Sequence, residues 1–216
     1  MDYADDIRIC IIEPKDRQRV LDFLRIYFYN DEPINIGIEP KEPAPADEEF
    51  TISNIDHGTC LMAIHKESKA IVGALLAGPT GPDEADKLFE EAAAAGSSKW
   101  GTILTFLACA ERDANVCQRY GVQKVLHAYG IGVDSKMRGK NIGGLLLSEL
   151  AKLGKQLGYE CIAAECTSYY SIKMCERMGW ECVHTIYYND YLDENKKPVF
   201  AVDPPHECCK TFVLRL

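Results

Sequence analysis

The chain has 216 residues, of which 47% are hydrophobic and 26% charged, with a formal net charge of -9. That length and balance fit one globular domain with a sizeable core rather than a disordered chain. The acidic balance lacks the basic footprint that nucleic-acid phosphates require, so no nucleic-acid partner is expected; a cationic small molecule suits it better.

The ten cysteines contain no Cys-x-x-Cys. Cys161, Cys166, Cys175 and Cys182 fall in apolar stretches, where free thiols pack as small hydrophobes. The histidines at 57, 65, 127, 184 and 206 form no His-x-x-x-His pair, so no metal site is expected. The start, Met-Asp-Tyr-Ala-Asp-Asp, is acidic and unlike a signal peptide. No apolar run approaches the ~18 residues of a membrane span. Together these predict a cytoplasmic protein with no membrane partner, as a monomer or weak dimer.

In chain order, Ile7–Ile12 reads as a β-branched strand ending at Pro14. From Lys15 the period becomes helical, with Val20, Leu21, Leu24, Ile26, Tyr27 and Phe28 on one apolar face and Pro33 as its stop. Prolines at 33, 40, 43 and 45 make the stretch to Asp47 an irregular loop with room for short helical pieces. Cys60–His65 and Ile71–Ala77 form a hairpin, and Gly78-Pro-Thr-Gly-Pro82 punctuates it. A helical insertion over about 82–120 follows, read as one helix over Asp83–Ala95 and another over Ile103–Arg119. Val125–Val133 is a strand, Asn141–Leu157 a leucine-faced helix, Cys161–Glu165 a buried strand and Ser168–Met178 a helix. Trp180–Tyr188 and Thr211–Leu216 supply the last strands, so the fold class is mixed α/β in a single domain.

The most specific segment runs from Ile131 to Leu147: strand, basic Gly-rich turn, long apolar helix. A helix N-terminus offers unpaired N–H groups and the positive end of the dipole, and glycines let a diphosphate approach the backbone. Arg138 and Lys140 add charge, and Gly139, Asn141, Ile142, Gly143 and Gly144 complete the loop. Gly143 and Gly144 cost ~1 kcal/mol each against Ala inside a helix, so a reason for them is expected. A plain strand–turn–helix connection is the other reading. A Walker loop and a dinucleotide fingerprint both fail, because neither Gly-Lys-Ser/Thr nor Gly-x-Gly-x-x-Gly is present.

This loop resembles the acetyl-CoA loop of the GNAT superfamily of N-acetyltransferases, Gln/Arg-x-x-Gly-x-Gly/Ala, here Arg138, Asn141 and Gly143. Asn141 replaces the middle glycine, and Asn is the non-glycine residue best able to adopt a left-handed backbone. The resemblance implies a central splayed mixed sheet flanked by helices. It also implies acetyl-CoA as cosubstrate without a metal, its diphosphate on residues 138–144 and its pantetheine arm along Ile131, Gly132 and Val133, with a backbone N–H near Val133 for the oxyanion.

Asp31-Glu32-Pro33 closes the first predicted helix, and by itself it reads first as a solvated acidic loop and only second as a functional pair. The stretch Leu24–Ile34 is similar to the start of insect arylalkylamine N-acetyltransferases, and that likeness makes Glu32 the catalytic base with Asp31 beside the substrate. A base is needed because a primary alkylamine, with a pKa near ~10, is protonated at neutral pH. By the same likeness Thr167 and Ser171 are hydroxyls beside the acetyl-CoA sulfur, Ser168 joins the cofactor site, and His206 of Asp203-Pro-Pro-His lines the substrate pocket. Thr167 or Ser168 as a helix cap and His206 as a plain loop residue are the alternatives. The position of the family's general-acid tyrosine is Cys175.

The implied activity is acetyl transfer to the primary amine of a small arylalkylamine (dopamine, serotonin, octopamine or tryptamine type) by direct attack in a ternary complex. Rival readings are a polyamine or agmatine acceptor, a longer acyl donor, a peptide acetyltransferase, and a CoA-binding regulator without catalysis.

Overall fold

The computed structural model describes residues 6–216; the acidic start of the chain lies outside them. Its strands are β1 (Ile7–Ile11), β2 (Leu61–His65), β3 (Ile71–Thr80), β4 (Val125–Val133), β5 (Cys161–Cys166), β6 (Glu181–Tyr187) and β7 (Cys208–Arg215). They form one open sheet in the order β1-β2-β3-β4-β5-β7-β6. Every pairing is antiparallel except β4–β5.

The sheet is covered on both faces, which is why β2 and β3 read as near-continuous apolar runs. Leu61, Ala63, Leu75 and Ala77 point to one core, and Met62, Ile64, Ala74 and Leu76 to the other. The first core is closed by α7 (Ile142–Gln156) and α8 (Tyr169–Arg177), the second by α1 (Arg17–Tyr27). On α7 the buried stripe is Ile142, Leu146, Leu147 and Leu150, while Leu157, expected on it, is exposed. On α1, Ile26 likewise points outward. Among the described residues no helix is long and apolar enough to cross a membrane.

Several boundaries differ from the sequence reading for physical reasons. The first helix ends at Tyr27 rather than at Pro33. The proline-rich stretch holds α2 (Pro33–Ile36) and leads into α3 (Pro45–Ser53), each opening on a proline whose missing N–H costs nothing at a helix start. Gly78 is no turn: β3 runs through it to Thr80, and a Cβ there would lie 2.1 Å from Asn54 Oδ1. The glycine admits a neighbouring side chain instead. The insertion between β3 and β4 comprises α4 (Glu84–Ala95), α5 (Lys99–Ala114) and α6 (Val116–Tyr120). Asn115, left-handed at φ 43°, breaks what had read as one helix to Arg119. β7 starts at Cys208, three residues earlier than expected.

Candidate active site

The sheet opens at its centre. β4 and β5 pair only at Leu126–Ile162 and His127–Ala163, while β3 accompanies β4 on to Val133. From Ala128 onward one edge of β4 is therefore unpaired by β5, leaving backbone donors and acceptors for an extended ligand. The register between β3 and β4 slips between Leu76 and Ala77, so Tyr129 is the extra residue of a β-bulge at the fork. A cavity of about 1260 Å³ fills the opening and extends under α5. Every residue expected at the site lines it, apart from Gly132 and Lys140. Gly132 instead receives Phe28 and Tyr27: a Cβ there would sit 3.3 Å from Phe28 Cβ and 3.4 Å from Tyr27 O. At Gly130 a Cβ would meet the Phe28 ring at 3.0 Å, so these two glycines let the end of α1 lie flat on β4.

At one end of the cavity lies the basic turn. Gly139 has φ 77°, and Asn141 is the left-handed N-cap of α7 at φ 60°, ψ 20°. Asn141 makes no side-chain cap, and the intrahelical ladder begins with Leu145 N donating to Asn141 O. The N–H groups of Ile142, Gly143 and Gly144 thus have no intrahelical acceptor. Each of the two helical glycines has its reason. A Cβ on Gly143 would lie 2.8 Å from Met174 Sδ of α8, and one on Gly144 would lie 2.3 Å from Asn141 Oδ1. Arg138 donates through Nη2 to Asp31 Oδ2 at 2.6 Å and through Nε to the Val133 carbonyl at 3.3 Å.

Glu32 sits where the two arms of the sheet diverge. It is the N-cap of α2, extended at φ -77°, ψ 113° as a residue before proline must be, and its carboxylate accepts from Ile34 N at 3.4 Å. The predicted placement at a helix C-terminus is thereby corrected: the adjacent dipole is the positive end of α2. Asn35, 1% exposed, ties this loop shut by donating to the carbonyls of Tyr29 and Lys41, both at 2.9 Å. Burial pushes the Glu32 carboxyl up to about 7; hydrogen bonds from Thr167 and the Ile34 N–H oppose the rise, and Asp47 adds to it.

Thr167 and Ser171 do not share a helix face, since α8 starts at Tyr169 with Ser168 as N-cap. Ser168 Oγ accepts from Ser171 N at 3.1 Å, and the two hydroxyls lie 2.9 Å apart. Thr167, before the helix, reaches Glu32 instead. Its carbonyl accepts from the buried Tyr188 hydroxyl at 2.6 Å, a partner that sequence reasoning missed. Tyr188→Phe should lower unfolding stability by about 1–2 kcal/mol, measured by urea denaturation, because the Thr167 carbonyl is left unpaired. His206 Nδ1 accepts from Tyr169 N at 3.1 Å, and burial lowers its pKa, so the neutral ring holds the start of α8 while lining the cavity. At the expected tyrosine position, the buried Cys175 thiol lies 3.5 Å from Cys166 Sγ.

A second polar cluster lies under α5. His127 Nε2 and Glu165 Oε2 are 2.5 Å apart, and Glu111 Oε2 stands 3.9 Å from His127 Nδ1. Sequence reading passed over these groups, which sit far apart along the chain and within or beside apolar runs.

The match to known proteins agrees with this architecture. The model of the acetyltransferase (GNAT) family covers residues 18–180. The apo form of a Ser→Ala mutant of an agmatine N-acetyltransferase superposes with a TM-score of 0.94 at 38% identity, over 98% of this chain and 100% of that one. A Drosophila melanogaster polyamine N-acetyltransferase that forms N-acetylagmatine gives 0.93 at 38% identity, over 98% and 100%. A mosquito arylalkylamine N-acetyltransferase-like protein gives 0.92 at 34% identity, over 97% and 100%. Splayed sheet, Gly-rich helix start and family match converge: this chain belongs to the GNAT family of acetyltransferases, whose enzymes use acetyl-CoA as cosubstrate.

Proposed function

We propose that this enzyme acetylates the primary amine of a small alkylamine by direct attack, with Glu32 as general base. The observation that carries the reading is Glu32 itself: a carboxylate at the fork of the sheet, bordering the cavity, with a pKa raised to about 7. A base poised near working pH is both ionised and able to take a proton, the best compromise for proton transfer from an ammonium. The Thr167 hydroxyl orients it.

Acetyl-CoA supplies the activated acetyl thioester. Its diphosphate fits the α7 start, where Gly139 and Asn141 hold left-handed backbone and Gly143 and Gly144 keep side chains away. Ile131 and Val133 offer β4 edge groups to its amide-bearing arm, and a nearby N–H stabilises charge developing on the carbonyl oxygen. Ser171, which lines the cavity, assists departure of the thiolate, while Ser168 anchors the helix that carries it. Phe28, Phe50, Trp100 and Tyr129 give the acceptor end an aromatic wall suited to an arylalkylamine, and Asp31 and His206 border the mouth.

A thiol-release assay with acetyl-CoA and a panel of primary amines tests the reading. Turnover is expected with at least one amine, and kcat/KM should rise with pH through about 7, as Glu32 ionises. CoA binding without turnover of any primary amine would defeat it.

A further inference from the structure

Apart from the groups that the proposed reaction uses, one buried cluster has the composition of a metal-ligand set. One donor atom from each of Glu111, His127 and Glu165 lies within 4.8 Å of the other two. Glu111 of α5 is 8% exposed and His127 of β4 5%. The charged groups acting on Glu111 are Glu165, His127 and Glu84, the last at the start of α4 and accepting from the Tyr129 hydroxyl at 3.5 Å. All four residues line the cavity. No ligand spacing marks them in the sequence, because they come from four different elements, α4, α5, β4 and β5. Three carboxylates around one imidazole leave buried negative charge in surplus, and a cation is what relieves it.

A second observation says where the cation fits. His127 Nδ1 is buried and has no hydrogen-bond partner among the described residues. It faces Glu111 Oε2 across 3.9 Å, too wide for a hydrogen bond. Two metal–ligand bonds span nearly that gap: about 2.0–2.1 Å to an imidazole nitrogen and about 2.0–2.2 Å to a carboxylate oxygen sum to about 4.1 Å. A tetrahedral angle at the ion asks for about 3.4 Å, so Glu111 need close by only about half an ångström.

The other ring nitrogen is already arranged for ligation. His127 Nε2 and Glu165 Oε2 are 2.5 Å apart. A carboxylate on one imidazole nitrogen fixes the ring's rotation, aims the opposite nitrogen and raises its basicity, which is how metal-bound histidines are supported.

We propose that His127 Nδ1, Glu111 and Glu84 bind one divalent transition-metal ion of the zinc type, with Glu165 as the residue that positions the imidazole. An imidazole with carboxylates suits such an ion better than Mg²⁺ or Ca²⁺, whose sites are built from oxygen alone. The ion is a reversible inhibitor and takes no part in acetyl transfer. The Tyr129 ring lies against His127 with centroids 4.6 Å apart, so the cluster is continuous with the aromatic wall that the acceptor needs. An ion held there excludes the amine. That inhibition rests on the acetyl-transfer reading above; the site itself does not.

The test is calorimetry with Zn²⁺ on chelator-treated protein, without CoA because its thiol competes for metal. One ion per chain should bind in the presence of excess Mg²⁺. Co²⁺ in its place should give visible d–d absorption without the near-ultraviolet charge-transfer band of thiolate ligation. Cys182→Ser, which removes an exposed thiol, should leave the affinity unchanged. Glu165→Gln should weaken binding about 10- to 100-fold while keeping the Co²⁺ spectrum, the mark of a lost supporting carboxylate. Glu111→Gln should weaken binding further and alter the spectrum; if that variant does not fold, Glu84→Gln carries the same comparison. In initial-rate assays of acetylated product, Zn²⁺ should raise the amine KM and leave kcat unchanged. Absence of Zn²⁺ binding, a thiolate band, or wild-type affinity in the carboxylate variants would overturn the site. Tight Zn²⁺ binding that leaves the amine KM unchanged would overturn its inhibitory role. A protein that binds Zn²⁺ as described but acetylates no amine would instead defeat the acetyl-transfer reading and leave the metal site standing.

Discussion

Replacing Glu32 by Gln is expected to lower kcat/KM for a primary amine by about 10²- to 10⁴-fold at neutral pH, the usual worth of a positioned base. The residual rate should climb roughly tenfold per pH unit toward the amine's own pKa near ~10, as solvent does the deprotonation. The wild-type profile should instead level off above about 7, where Glu32 is fully ionised. A variant whose profile parallels the wild type would remove Glu32 from the proton path.

The same carboxyl has a stability signature of definite sign. Its folded pKa, about 7, lies above its unfolded value, so the native state binds the proton more tightly. Its contribution is fully present below about 4.5 and is lost as pH rises toward 7. Above that window the ionised group destabilises the fold by at most about 3 kcal/mol, less for its access to the cavity solvent. Glu32→Gln should therefore unfold at higher urea than the wild type at pH 8, with the gap closing toward pH 5. Asp47, raised to about 6 chiefly by burial, has the same sign and remains in both proteins, so most of its own titration cancels in the difference.

The second large effect concerns Gly144. A methyl group there would lie 2.3 Å from Asn141 Oδ1, so Gly144→Ala must expel the Asn141 side chain or shift the helix start. Asn141 Oδ1 ends a side chain that makes no cap, so it swings aside at little cost in stability, and its new position in the loop should raise the KM for acetyl-CoA about tenfold. Asn141→Gly removes the obstructing side chain and keeps the left-handed backbone accessible. The double variant should recover most of the KM, and the Gly144→Ala change then contributes alanine's better helix propensity, about 1 kcal/mol. Such rescue is a strong positive coupling between neighbours. A Gly144→Ala enzyme with wild-type KM would show that this helix start does not hold the cosubstrate.

That pair also shows what sequence could and could not reveal. Asn141 was legible because few residues adopt φ near +60°, and Gly139 and Gly143 flank it in a recognisable spacing. Glu32 stands out as a candidate only through resemblance, since Asp-Glu-Pro alone is an ordinary acidic turn. The β2–β3 core was legible from its unbroken apolar runs. What stayed hidden depends on contacts remote in the chain. Asn35 closing the Glu32 loop, Tyr188 under Thr167 and Asn54 against Gly78 give no local periodicity. Glu111, His127 and Glu165 meet only because α5 brings Glu111 against the neighbouring strands β4 and β5, and each looks unexceptional in its own segment.

The Arg138–Asp31 ion pair has one further implication on the proposed reading. An internal carboxylate occupies the guanidinium that the cosubstrate's diphosphate would use, so the loop carries its own competitor. Any measured affinity for acetyl-CoA is then a difference between two anions competing for Arg138.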